Sequence, residues 1–124
     1  MHNSSPITFI TWDRANLPAV RDVLAGLQRD RIFLRRGRLL LETSWLGSGA
    51  RDFYATAWRW GAHDCPLFYD LARRGKLLLT ISDTVISCGS KDDIADARAG
   101  IAQELIVAQN PQQLCRLLAD AAED

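Results

Sequence analysis

The chain has 124 residues, 48% of them hydrophobic and 24% charged, with 15 basic side chains balancing 15 acidic ones. That size and composition match one globular domain that can bury a core without metal or disulfide staples. A formal charge of zero leaves no global field to draw the chain onto nucleic acid or a membrane.

Met1 to Pro6 carry no basic run, and no apolar run approaches membrane-spanning length. Residues 1–5 are expected to be disordered. Ile7 to Trp12 reads as a strand of β-branched and aromatic residues. Asp13 or Asn16 can cap the next element, and Pro18 suits a first helical turn. Leu17, Val20, Val23, Leu24 and Leu27 then recur at helical spacing and predict a helix ending near Arg29. Ile32 to Leu34 and Leu39 to Leu41 are predicted strands, turned at Arg35-Arg36-Gly37-Arg38.

Ser48 is placed to cap a helix over Ala50 to Ala62, whose apolar positions Ala50, Phe53, Tyr54, Ala57, Trp58 and Gly61 fit the 3.6-residue template. Asp64 and Pro66 mark the start of another helix, to Arg74, with Gly75 at the position of a left-handed cap. Leu77 to Ile81 and Val85 to Cys88 read as a second strand pair. Ser90 to Asp93 resembles a capping box for a helix carrying Ile94, Ala97, Ile101, Leu105 and Ala108 to Gln109, and Asn110-Pro111 opens the last one. The fold expected is α+β: one domain over residues 1–124, with a small, mostly antiparallel sheet of two hairpin-like strand pairs covered by about five helices.

The segments Arg35 to Ser44 and Arg73 to Ser82 share one grammar of basic residues, a glycine and a leucine strand. Two copies are fewer than a repeat architecture needs, and reuse of turn-then-strand chemistry accounts for them.

The common catalytic motifs HExxH, CxxC, GxSxG and GxxxxGK[ST] are absent, and the expectation is a protein without enzymatic activity, cofactor or metal. The spacing of Cys65, Cys88 and Cys115 fits neither a disulfide framework nor a zinc site, so three free thiols in the cytoplasm are expected. Two places hold alternative chemistry. Gly47, Ser48, Gly49 and Arg51 have the composition of an anion-binding loop, although Asp52 opposes phosphate. His63 to Cys65 lie at a predicted helix start, where the dipole can lower a thiol pKa and His63 can act as a base. A third alternative is nucleic acid on the basic segment Arg29 to Arg38, with Arg29, Arg31 and Arg35 on one side of a strand.

The strongest signal is aromatic. Four tryptophans stand in 124 residues, and Trp58 and Trp60 share the predicted helix with Phe53 and Tyr54. A helix apolar over most of its circumference is covered on more than one side, by the rest of the fold or by a partner. The sequence therefore favours a homodimeric, cytoplasmic protein-binding regulator that sequesters or masks another protein. An antiactivator of a transcription factor, an immunity protein and a secretion chaperone are all of this kind. Phe53, Tyr54, Trp58 and Trp60 are the expected anchors, and Arg35, Arg36 and Arg38 the steering charges.

Overall fold

Eight short segments of the chain pair into one continuous sheet. The structure, a computed structural model, describes residues 5–11, 15–44, 53–89 and 105–122. Its strands are β1 (Ile7–Thr11), β2 (Gln28–Asp30), β3 (Phe33–Arg36), β4 (Leu39–Ser44), β5 (Tyr54–Arg59), β6 (Leu77–Ile81), β7 (Thr84–Ser87) and β8 (Leu105–Val107). They lie in the order β2-β3-β4-β5-β1-β6-β7-β8. Neighbours are antiparallel except β7 and β8, which run parallel. The helices among the described residues are α1 (Leu17–Leu24), α2 (Cys65–Gly75) and α3 (Pro111–Ala122), with a 3-10 turn at Ala62–Asp64. No helix of these residues is long and apolar enough to cross a membrane.

One face of the sheet carries Ile7, Phe9, Leu41, Ala55, Ala57, Leu79 and Ile81, all within a single buried cluster with Val20, Phe68, Leu71, Leu114 and Leu118 of the three helices. Phe68 is the centre of the aromatic packing, edge-on to Phe9 at 5.3 Å and to Trp60 at 6.2 Å. On the opposite face a small second cluster joins Leu78, Val85 and Leu105, with Ile10 against it.

The helix starts follow their local chemistry. The Asn16 side chain accepts from the Ala19 amide at 3.3 Å, and that of Asn110 from the Gln113 amide at 2.7 Å. The two glycines of the repeated grammar serve different ends. Gly37 takes φ +61° in the β3–β4 turn. Gly75 remains helical, and Lys76 after it takes the left-handed cap at φ 57°. What demands glycine at 75 is proximity: a Cβ there would stand 2.8 Å from Val20 Cγ2 where α1 crosses α2.

The expected sheet of two hairpins under about five helices is corrected to an eight-stranded mixed sheet with three helices among the described residues, still α+β. Three helical expectations fail. The helix predicted over Ala50 to Ala62 is instead β5, hydrogen-bonded to β4 and β1 on its two sides. The first helix stops at Leu24, and Gln28–Asp30 turns back as β2. The helix drawn to Gln109 is a strand at Leu105–Val107, while its predicted start at 90–104 lies outside the described residues. In each case pairing with neighbouring strands outweighs local propensity, which is a weak determinant for short apolar runs.

Candidate functional site

β5 decides which aromatics meet solvent. Phe53, Ala55 and Ala57 point to the helices and are buried, while Tyr54 and Trp58 on the other face are 51% and 47% exposed. A regular strand would place Trp60 beside Trp58, because side chains alternate with a period of two. The pairing with β4 is irregular here: Leu41 faces Ala57, Leu40 faces Arg59, and Trp58 is the additional residue between them. Such a bulge shifts the pleat by one position. Trp58 and Arg59 thus stay exposed on the open face, and Trp60 returns to the core at 7% exposure. There its indole N–H donates to the Ser5 carbonyl at 2.9 Å.

Trp58 is held in place. Its Nε1–H donates to Glu42 Oε1 at 2.7 Å, and Glu42 is the cross-strand neighbour of both Phe33 and Thr56. Glu42, Thr43, Tyr54, Thr56 and Trp58 line a shallow groove of about 190 Å³. Arg35 and Arg59 both pair with Leu40 and flank the groove on the same face. The site is therefore a groove with two aromatic rings and one carboxylate in its lining and two arginines at the strand positions beside it. Sequence reasoning passed over Glu42, Thr56 and Arg59, since only the strand register brings them to Trp58.

No family model, no curated protein and no solved structure matches this chain.

The expected anchors and charges are divided by the fold. Tyr54 and Trp58 share the groove, whereas Phe53 and Trp60 lie in the core. Arg35 is on the open face. Arg36 points to the helix side, where its Nη2 meets Asp64 Oδ1 at 3.4 Å, and Arg38 is exposed in the turn after Gly37. Arg29 pairs with Leu34 while Arg35 pairs with Gln28, so register sets these two arginines on opposite faces, not on the one side expected for a phosphate-binding row. The anion-loop residues Gly47, Ser48, Gly49 and Arg51 lie outside the described residues.

The His63 to Cys65 corner forms at the junction of the 3-10 turn and α2. Asp64, 5% exposed, accepts from the Gly61 amide at 2.9 Å and faces Arg36. Cys65 is 2% exposed, and burial first, then the neighbouring Cys115 thiol, push its pKa upward. Desolvation of the thiolate thus outweighs the helix dipole that would lower it. His63 is exposed. Cys88 is fully buried, and desolvation pushes its thiol up to about 12, partly offset by Arg73. Groups of three or more metal-ligating side chains are absent among the described residues.

Proposed function

We propose that this chain is a cytoplasmic protein-binding regulator that masks a partner protein with the open face of β3, β4 and β5. The observation that supports it is the pairing of two half-exposed aromatic rings, Tyr54 and Trp58, around one groove on a face that the three helices leave uncovered. Tryptophan and tyrosine bury large area for few rotatable bonds. Covering the exposed part of each ring contributes roughly 1 kcal/mol. The bond from Trp58 to Glu42 fixes the indole before binding, which lowers the ordering cost of association. Arg35 and Arg59 at the side of the groove favour an acidic rim on the partner, and they raise the encounter rate at low salt.

The proposed active form is a homodimer. The cysteines fit the proposed compartment, as Cys65, Cys88 and Cys115 are all free thiols.

The experiment is affinity capture from native lysate with the tagged wild type and with Trp58→Ala, alongside sedimentation of each. A stoichiometric protein retained by the wild type and lost by a folded Trp58→Ala supports the reading. Equal capture by both moves binding away from this face, and a wild type recovered alone across salt conditions overturns the function. A wild-type monomer at micromolar concentration overturns the homodimer.

A further inference from the structure

Away from the groove, on the helix side of the sheet, two thiols meet where α2 and α3 pack. Cys65 opens α2, Cys115 lies in the second turn of α3, and the Cys115 thiol neighbours that of Cys65. One carbonyl organises both. Ala62 O accepts the backbone N–H of Cys65 and also the Cys115 thiol, at 3.9 Å. The two sulfurs differ in access: Cys65 is 2% exposed, whereas Cys115 is half-buried and open to a small solute. A half-buried thiol backed by a buried one is the arrangement of an attacking and a resolving cysteine.

We propose that Cys65 and Cys115 are a dithiol modification site, which a peroxide converts into an intramolecular disulfide joining the start of α2 to α3. The Cys115 sulfur attacks one peroxide oxygen, the O–O bond breaks, and water leaves after taking up a proton, giving the sulfenic acid. The Cys65 sulfur then attacks the Cys115 sulfur, the S–O bond breaks, and the hydroxyl departs as a second water with the Cys65 proton. Two thiols lose two electrons and two protons, and one hydrogen peroxide is reduced to two waters. Burial shields Cys65 from the peroxide, so the more accessible Cys115 sulfur reacts first and Cys65 meets the oxidant only through it. Cys88, fully buried in the core, serves as an internal reference.

The test uses the reduced full-length chain treated with hydrogen peroxide, quenched, denatured and alkylated with iodoacetamide. The expected product carries one alkyl group, on Cys88, in place of three. Its mass before alkylation is lower by two hydrogens, and proteolysis yields a linked peptide pair containing Cys65 and Cys115. Cys115→Ser is expected to leave Cys65 and Cys88 both alkylated after the same treatment. Alkylation of all three thiols in the treated wild type overturns the proposal. So does sulfinic acid on Cys115 without a linked pair, or a disulfide between chains. These outcomes are read on the wild type and do not depend on the variant folding.

Discussion

Trp58 and Trp60, two positions apart, lie on opposite faces of the sheet, the first 47% exposed beside Glu42 and the second 7% exposed beside Phe68. The bulge in the pairing of β5 with β4 separates them, so the two residues should respond differently to truncation. Trp60→Ala is expected to lower unfolding stability by about 3–5 kcal/mol, the usual cost of removing a buried large aromatic. Trp58→Ala should cost less than about 1 kcal/mol while removing partner binding. Urea titrations of the two variants check this. Similar losses for both would mean that the indole of Trp58 is structural.

Gly75 and Val20 form a contact that admits no further carbon. Gly75→Ala gains helix propensity but must displace the Val20 methyl group, and a net loss of about 1–3 kcal/mol is expected. Val20→Ala in the same chain should recover part of it. A double-mutant cycle with a coupling of about 0.5 kcal/mol or more identifies this contact as the cause, and additive losses would exclude it.

Lys76 occupies a left-handed conformation at φ 57°, which glycine adopts without a Cβ penalty. Lys76→Gly is therefore expected to raise stability by roughly 0.5–1 kcal/mol, read as a higher thermal midpoint. The same change at exposed Arg74, inside α2, should lower it.

Burial raises the Cys88 thiol to about 12, and Cys65 is shifted in the same direction. The unfolded chain releases these protons at ordinary thiol pH, near 9, while the folded chain retains them. Between pH 9 and 12 the unfolded state therefore binds fewer protons, and stability falls as pH rises. Each buried thiol contributes a slope of about 1.4 kcal/mol per pH unit across that window and none below it. Urea midpoints measured from pH 8 to 10.5 should show this decline, and Cys88→Ala should have a shallower one.

Much of the chain order could be read locally. Asn16 and Asn110 start helices because their side chains accept amide protons within the same turn, and Gly37 turns a hairpin because it takes a positive φ. These interactions span a few residues and leave a direct trace in the sequence. The same holds for the leucine run of β6, bounded by turn formers on both sides. Tyr54 and Trp58 were recognisable as large aromatics seeking cover, although no local rule could separate them from Phe53 and Trp60. The segment from Phe53 to Trp60 matches a helical stripe as well as it matches a strand with one irregular step. It became β5 because β4 and β1 satisfy its backbone on both sides, and β1 lies more than forty residues earlier in the chain. The bulge, the groove around Glu42 and the meeting of Cys65 with Cys115 have the same origin. Composition and local spacing determined which side chains were available, and only the long-range register decided which of them share a face, since one step in strand pairing exchanges the buried set for the exposed one.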